Sequence, residues 1–360
     1  MLVAPLDWGL GHATRCVPLI KELLRQNCTV LLAASGRGKA LLQQEFPALP
    51  MLHLPGYEIE YAASGWGLAV KIVAQIPKLF DAIKEEQAWL QKVVAEQRID
   101  AVISDNRYGL FHPQVRSVLM THQLCIKVPL KLAEDLLQET VYQYINRFHE
   151  CWVPDAEGEP NLAGDLSHPQ NLPSIPVFYT GPLSRFAAQT TTEEDYLLVL
   201  LSGPEPQRSL LEQRLVEDLK GYTGPVVLVR GLPGLEEEMT VAENVTVFHH
   251  LPAAELEAVV RKASMVISRS GYSTVMDLSA LQKRSILIPT PGQTEQEYLA
   301  RHLMKQNLAF CVEQNKFRLK QVLAMASQFS YHPFAVPQGS ALQTTIRRFL
   351  LSLSTEPIQV

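Results

Sequence analysis

This chain of 360 residues contains few cysteines and no excess of basic residues. The five cysteines are odd in number and widely spaced, and no CxxC pair occurs. That pattern argues against a disulfide framework and against a cysteine-ligated zinc site, and it favours a reducing cytoplasm. The formal net charge of -5 argues against a general nucleic-acid-binding protein, which would carry a basic surface.

Long uninterrupted apolar runs are also missing. The nearest is GWGLAVKIVAQIPKLF, residues 65–80, which Lys71 and Lys78 interrupt and whose helical spacing predicts a buried or interfacial helix. No uncharged run approaches the length of a bilayer-spanning helix. The first apolar run has no basic segment before it, which favours a strand over a signal peptide. We therefore expect a cytoplasmic protein, with any membrane contact confined to the periphery.

Apolar strands and helices alternate throughout the chain. Such alternation is typical of parallel sheets covered by helices on both faces, and the composition, 47% hydrophobic and 19% charged, supports two cores. A first series includes LVAPL, CTVLLAAS, AVIS, SVLMT and CWVP, and a second includes YLLVLLSGP, PVVLVR, NVTVFHH, MVIS and SILIP. The predicted fold class is α/β, with two Rossmann-like domains whose parallel sheets face a cleft.

The boundary between the two series is marked by composition. Residues 155–176 are rich in Pro, Gly, Asn, Asp and Ser and are predicted to form a loop, and the polar stretch AAQTTTEED follows shortly after. The predicted domains are residues 1–188 and residues 189–336. The last pattern, ALQTTIRRFLLSL, predicts a terminal helix within residues 337–360.

The stretch MVISRSGYSTVMD carries an anion-binding pattern. A strand ends at Ser268, and Ser270, Gly271 and Ser273 open the next helix, where backbone amides and short hydroxyls are available to an anion. Asp277 lies one turn beyond Ser273 on the same helical face, a position from which a carboxylate can accept hydrogen bonds from ribose hydroxyls. By itself, the segment fits an ordinary serine-capped helix equally well.

Three further loops follow strands of the second series. Glu295 and Gln296 begin a helix and could bridge sugar hydroxyls, which need both donors and acceptors. Ser202-Gly203 could contact phosphate through backbone amides, and the backbone at His249 could contact the edge of a base. His249 and His250 are adjacent without HxxxH spacing, so no metal site is predicted. Each loop alone is explained as well by an ordinary turn or helix start.

Together the four segments resemble the donor domain of two-domain glycosyltransferases of the GT-B fold. The likeness is to the N-acetylglucosaminyltransferase family that forms lipid II and to related UDP-glycosyltransferase-like proteins. GLGHATR resembles the glycine-rich first loop of that family, which ends in Gly-His at the first helix. Asp277 stands where the family has Glu, and Glu295-Gln296 stands where it has Gln-Gln, so the transferred sugar is left open. The likeness is loose between residues 57 and 176.

The resemblance implies an inverting glycosyltransferase that uses a nucleotide sugar, most simply UDP-linked, and needs neither a metal nor a further cofactor. His12 would be the general base, because a histidine pKa lies near neutrality. The first domain would bind the acceptor and the second the donor, and the terminal helix would pack back on the first. The expected donor-binding residues are Gly9, Gly11, Ser202, Gly203, His249, Ser270, Gly271, Ser273, Asp277, Glu295 and Gln296, and those on the acceptor side are Asp105, His122 and Gln123.

Several alternatives stay open at this point. A nucleotide-sugar hydrolase of the pseudaminic acid pathway has the same fold and a GxGHxxRC motif, which GLGHATRC resembles, and water would then replace the acceptor. The acceptor could be a small metabolite or a lipid-linked molecule, and the oligomeric state is undetermined. His12 could also do no more than cap its helix. A nicotinamide enzyme is disfavoured because GLGH lacks the full GxGxxG pattern.

Overall fold

The computed structural model describes residues 1–57, 76–127, 131–186, 192–334 and 340–355. These residues divide into two compact units. The first contains the described residues up to Arg185 together with the C-terminal helix, and the second runs from Phe186 to residue 334. The domain bounds named above stay a prediction, because residues 187–191 and 335–339 lie outside the described residues. Most of the apolar stretch at residues 65–80 lies outside them as well.

The first unit is built on a seven-stranded parallel sheet in the order β3-β2-β1-β4-β5-β6-β7. Its strands are β1 (Leu2–Pro5), β2 (Leu31–Ala34), β3 (Met51–His53), β4 (Ala101–Asp105), β5 (Arg116–Met120), β6 (Glu150–Val153) and β7 (Val177–Tyr179). Its helices are α1 (Gly11–Arg25), α2 (Gly36–Glu45), α3 (Ile76–Glu96), α4 (Lys131–Ile145) and the terminal helix α10 (Ser340–Thr355).

The central strands of this sheet read as continuous apolar runs because helices cover both faces. All four residues of β1 are buried, as are all five of β4. Helix α10 packs on the same unit, where Phe349 meets Trp152 edge-on with 5.5 Å between ring centroids. Arg348 of this helix donates to Glu150 Oε1 at 2.6 Å. A buried aromatic contact and a charged hydrogen bond thus attach the last helix to β6.

The second unit is built on a six-stranded parallel sheet in the order β10-β9-β8-β11-β12-β13. Its strands are β8 (Glu194–Leu200), β9 (Val226–Val229), β10 (Val245–Phe248), β11 (Ala263–Ser268), β12 (Ser285–Leu287) and β13 (Phe310–Cys311). Its helices are α5 (Gln207–Leu219), α6 (Ala253–Lys262), α7 (Tyr272–Ala280), α8 (Thr294–Lys305) and α9 (Leu319–Ser327). Two parallel α/β domains are therefore present, as the alternation of strands and helices predicts.

Strand order decides which loops become neighbours at the carboxyl edge of each sheet. In the first unit β4 lies between β1 and β5, and in the second β11 lies between β8 and β12. The loops after these strands carry most of the residues singled out above. Residues 155–176 form a loop with one short 3₁₀ turn at Gly164–Leu166. None of the described helices is both long and apolar enough to span a bilayer.

Candidate active site

A cluster of ionisable side chains lies at the carboxyl edge of the first sheet. Asp105 is the last residue of β4, and His12 and Arg15 are three residues apart on the first turns of α1, so they share one face of that helix. His122 follows β5 by two residues. Because Pro5 and Asp105 are paired across β1 and β4, the start of α1 is brought directly over the Asp105 carboxylate.

Arg15 is the centre of this cluster. Its Nε donates to both carboxylate oxygens of Asp105 at 2.9 Å, and its Nη2 also donates to Oδ1. Nη1 lies 3.1 Å from His122 Nδ1, and Nη2 lies 2.8 Å from His12 Nδ1. The side chains of Arg15 and Asp105 are 3% and 0% exposed, so this is a buried ion pair with both charges compensated.

His12 Nδ1 lies 3.1 Å from Asp105 Oδ2. A carboxylate can only accept and a guanidinium can only donate, so the contact with Asp105 needs a proton on Nδ1, whereas the contact with Arg15 Nη2 needs an unprotonated Nδ1. When the proton is on Nδ1, Nε2 of the neutral ring is the proton acceptor. The His12 side chain remains 14% exposed. The helix begins after Leu10 without a side-chain cap, so His12 does not serve as a cap. The arrangement is a histidine oriented by a buried carboxylate, which is the usual architecture of a general base.

The charges of the cluster act on both titrating groups. Burial would raise the pKa of the Asp105 carboxyl, but Arg15 and His12 outweigh it and lower that pKa to about 2. Burial lowers the pKa of His12, Arg15 lowers it further, and Asp105 opposes them. Burial and Arg15 thus favour the neutral imidazole, the state in which it can accept a proton.

The glycine-rich loop before α1 is held in place by a second charged group. Gly9 has a φ of +73°, which glycine adopts without strain. Asp7 accepts the backbone N–H of Tyr57 at 3.2 Å and lies 3.7 Å from Arg107. Arg107 is fully buried and also donates to the Glu86 carboxylate at 2.7 Å. These contacts tie the loop to β1, to the segment at residues 55–57 and to α3.

The other residues predicted on the acceptor side occupy the neighbouring strand end. His122 is 5% exposed and faces Arg15, as described above. Gln123 is half-buried, and its backbone N–H donates to Thr121 Oγ1 at 3.0 Å. Asp105 is wholly buried against Arg15 and His12. Its carboxylate thus acts on those two side chains.

In the second unit, α7 begins directly after the carboxyl end of β11. Gly271 is its N-cap residue, and no side chain caps the helix. Ser273 and Asp277 are both half-buried and lie one turn apart on one face, as predicted. The first-turn amides and the positive end of the helix dipole favour an anion at this position.

Two of the predicted donor-binding side chains are already engaged by the protein. Ser270 is fully buried, and its hydroxyl donates to Gln296 O at 2.9 Å. Gln296 is 8% exposed, with its Oε1 accepting from Thr290 N at 2.9 Å and its Nε2 donating to Gln293 Oε1 at 2.5 Å. These contacts join the loops after β11 and β12 to α8 and turn both side chains towards the protein, so their contact with the donor stays a prediction. Glu295, one residue earlier, is half-buried in the first turn of α8.

Ser202 and Gly203 form the turn after β8. Gly203 has a φ of +103°, a conformation that disfavours any side chain, and a Cβ there would lie 3.9 Å from Thr290 Oγ1. Thr290 is 1% exposed, and its hydroxyl has no hydrogen-bond partner among the described residues. An unstrained glycine turn therefore lies beside a buried hydroxyl whose hydrogen-bonding capacity is unused among the described residues.

His249 lies just beyond β10 in a charged side-chain network. Its Nδ1 is 3.0 Å from Arg230 Nη1, and Arg230 is held in turn by Glu212. The backbone carbonyls of Phe248 and His249 accept the amides of Arg230 and Leu232 at 2.8 and 2.7 Å. The backbone groups expected to contact a base are thus partly used by the adjoining segment. The arginine fixes Nδ1 as an acceptor and leaves Nε2–H of the neutral ring as a donor.

Sequence reasoning missed Arg15, Arg107 and Arg269, which the structure buries at the carboxyl edges of the two sheets. Arg15 and Arg269 each interrupt a short run of apolar or small residues, whereas Arg107 follows Asp105 and Asn106 at the end of a strand. A buried charge needs compensation, so each of these arginines implies partners from elsewhere in the chain. The sequence alone does not say which residues these are. In the described ranges, no group of three or more His, Cys, Asp or Glu residues is placed to hold a metal ion.

Comparison with known proteins supports the interpretation of the second unit. Residues 197–344 match the glycosyltransferase family 28 C-terminal domain. An uncharacterized glycosyltransferase of Methanosarcina acetivorans is 23% identical over 327 residues, covering 80% of this chain and 79% of the relative.

A UDP-N-acetylglucosamine–N-acetylmuramyl-(pentapeptide) pyrophosphoryl-undecaprenol N-acetylglucosamine transferase of Haemophilus ducreyi is 28% identical over 149 residues. That match covers 39% of this chain and 41% of the relative. Among solved structures, the glycotransferase of kitacinnamycin superposes with a TM-score of 0.63 at 14% identity, covering 98% of this chain and 94% of the other. The chain thus has the GT-B fold and resembles the lipid II-forming transferases, as the sequence motifs indicate.

Proposed function

We propose that this glycosyltransferase-like chain moves a sugar from a UDP-linked donor to a hydroxyl acceptor with inversion at the anomeric carbon. The observation that carries the proposal is the His12–Asp105 pair. His12 Nδ1 lies 3.1 Å from a buried carboxylate at the start of the first helix, and the proposal takes the tautomer with the proton on Nδ1, which leaves Nε2 as the acceptor. The family 28 domain match at residues 197–344 supports a donor nucleotide in the second unit.

In the proposed reaction, His12 Nε2 takes the proton of the acceptor hydroxyl as its oxygen forms a bond to the anomeric carbon. The bond between that carbon and the diphosphate oxygen breaks, and the nucleoside diphosphate leaves with the electron pair. Asp105 stabilises the imidazolium that forms, because its carboxylate accepts from Nδ1. One displacement at one carbon inverts its configuration.

The leaving diphosphate gains one negative charge, which the second unit is suited to stabilise. The amides at the start of α7, the Gly203 turn and the Thr290 hydroxyl are donors, which strengthen as the negative charge develops. Asp277 would accept from the ribose, and Glu295 from the sugar. This mechanism assigns no step to a metal ion, and metal independence is part of the proposal.

The acceptor is proposed only as a class, a small metabolite or a lipid-linked molecule carrying a free hydroxyl. The Haemophilus ducreyi relative, by its name, acts on a pyrophosphoryl-undecaprenol acceptor. A lipid-linked acceptor would place this chain at the cytoplasmic face of a membrane. We expect the acceptor to be selected by residues 57–79, of which residues 58–75 lie outside the described residues.

Ligand binding provides the test. UDP should raise the melting temperature more than ADP or GDP at equal concentration, because a ligand that binds only the folded state stabilises it by mass action. Equal shifts for the three nucleotides would remove the case for UDP. Turnover of UDP-sugars should then require an added hydroxyl acceptor. Rapid and complete hydrolysis without one would identify a nucleotide-sugar hydrolase instead.

A further inference from the structure

Arg269 is a buried cation that has no carboxylate partner among the described residues. It follows β11 directly and is 1% exposed. Its Nη2 donates to Gln207 O at 2.7 Å, and its Nη1 lies 3.3 Å from Ile288 O and 3.2 Å from Pro289 O. Its Nε has no hydrogen-bond partner in the described part of the chain. All of these acceptors are backbone carbonyls, which orient the guanidinium but do not neutralise it.

Other buried cations of this chain are neutralised. Arg15 pairs with Asp105, Arg107 with Glu86, and Lys283, which is 4% exposed, with Glu193 at 2.8 Å. Burial lowers the pKa of Arg269 to about 10, so the side chain still carries a full positive charge at neutral pH. Burying an unbalanced charge is costly, and a sequence keeps one most readily where an anion compensates it.

The anion site proposed above lies along the same edge of the sheet. Arg269 immediately precedes Ser270 and Gly271, which lead into α7, and it holds the first residue of α5 and the end of β12. The N-termini of two helices and one buried guanidinium therefore raise the electrostatic potential at this edge. The unpartnered hydroxyl of Thr290, next to Pro289, is a donor in the same region.

We propose that Arg269 is the fixed counter-charge of the donor's diphosphate and acts through its field from within the protein. It is a positioning residue, since its contacts are to backbone carbonyls and not to the reacting atoms. The inference rests on the proposed function, because it assumes a nucleoside diphosphate at this edge. If Arg269 had only a structural role, it would hold together the end of β11, the start of α5 and the segment that follows β12.

The two roles separate when ligands with and without phosphate are compared. Arg269→Gln removes the charge and keeps one donor group, and Arg269→Lys keeps the charge. Lys283→Met is the matched control, a buried cation of the same unit that lies before β12, at the opposite edge of the sheet. Calorimetry with UDP and with uridine on the full-length protein, at low and high salt, measures the affinity that the diphosphate contributes.

Arg269→Gln should weaken UDP binding by about tenfold or more at low salt and uridine binding by less than about twofold. Arg269→Lys should retain the preference for UDP, and Lys283→Met should leave it unchanged. An equal loss for UDP and uridine in Arg269→Gln, or no loss for UDP, would overturn the inference. If the Gln variant does not fold, a folded Lys variant that loses the preference for UDP overturns it equally. Failure of the wild-type protein to bind UDP would instead refute the proposed function.

Discussion

Replacing His12 by alanine tests the proposed general base. We expect this substitution to leave the start of α1 and the Asp105–Arg15 ion pair intact. The imidazole makes no cap hydrogen bond to α1, so the helix start does not depend on it. The Asp105 carboxylate keeps its hydrogen bonds from Arg15 and remains a compensated buried charge. We expect a loss of only about 1–2 kcal/mol in the free energy of unfolding, from the contacts of one mostly buried ring.

The effect on turnover should be much larger. A positioned general base contributes about 10²–10⁴-fold, so turnover should fall by that factor while donor affinity, attributed to the second unit, changes little. The pH profile supplies an independent signature. Burial and Arg15 hold the pKa of His12 below 6.5, so wild-type turnover should persist at pH 7 and decline only under more acidic conditions. The residual rate of His12→Ala should lack that decline.

The assay is steady-state turnover of a UDP-sugar between pH 5 and 8, with melting temperature measured on the same preparations. His149→Ala is the control, because His149 is another half-buried histidine of the first unit, and in the described part of the chain its Nδ1 contacts Ser117. It should cost stability without altering turnover per folded molecule. A folded His12→Ala protein with near-normal turnover, or with the same acidic decline as wild type, would refute the assignment of His12 as the base.

Three further outcomes are expected. Asp277→Ala should weaken UDP binding by roughly 10- to 150-fold, because it removes a charge-assisted hydrogen bond. If that bond is to the 2′-hydroxyl, the variant and the wild type should bind 2′-deoxy-UDP equally. Calorimetry measures both affinities. The pKa of Asp105 is about 2, against 3.8 when unperturbed, which contributes about 2 kcal/mol to the free energy of unfolding above pH 5. That contribution is lost as the pH falls through 3.8 towards 2. Urea unfolding across this pH range should show the loss in the wild type and not in Asp105→Asn. Gly56→Ala should lower the free energy of unfolding by about 1–3 kcal/mol and also lower turnover, because a Cβ at Gly56 would lie 2.0 Å from Asp7 Oδ2. Gly158→Ala is the control, and it should change neither because a Cβ at Gly158 would lie in open space. Equal melting temperatures for the two variants would contradict this account.

The elements of this protein follow from local pattern to a large degree. The strands at AVIS, SVLMT and CWVP lie where their buried runs place them. Three strands escape this reasoning: Met51–His53, Val177–Tyr179 and Phe310–Cys311. Each lies at an outer edge of its sheet, where two or three residues carry little periodic signal.

The candidate site is determined by sequence only at the level of residue type. A glycine turn ending in His12, or a helix start at Gly271 with Asp277 one turn later, can be read directly because both are local. Two further features depended on which strands became neighbours. The pairing of β1 with β4 brings Asp105 under His12 from 93 residues away, and the packing of α8 against the β12 loop turns Gln296 inward. Hydrogen bonds between distant segments leave no periodic trace in a single sequence, so only the tertiary structure decides which polar side chains face a ligand and which face the protein.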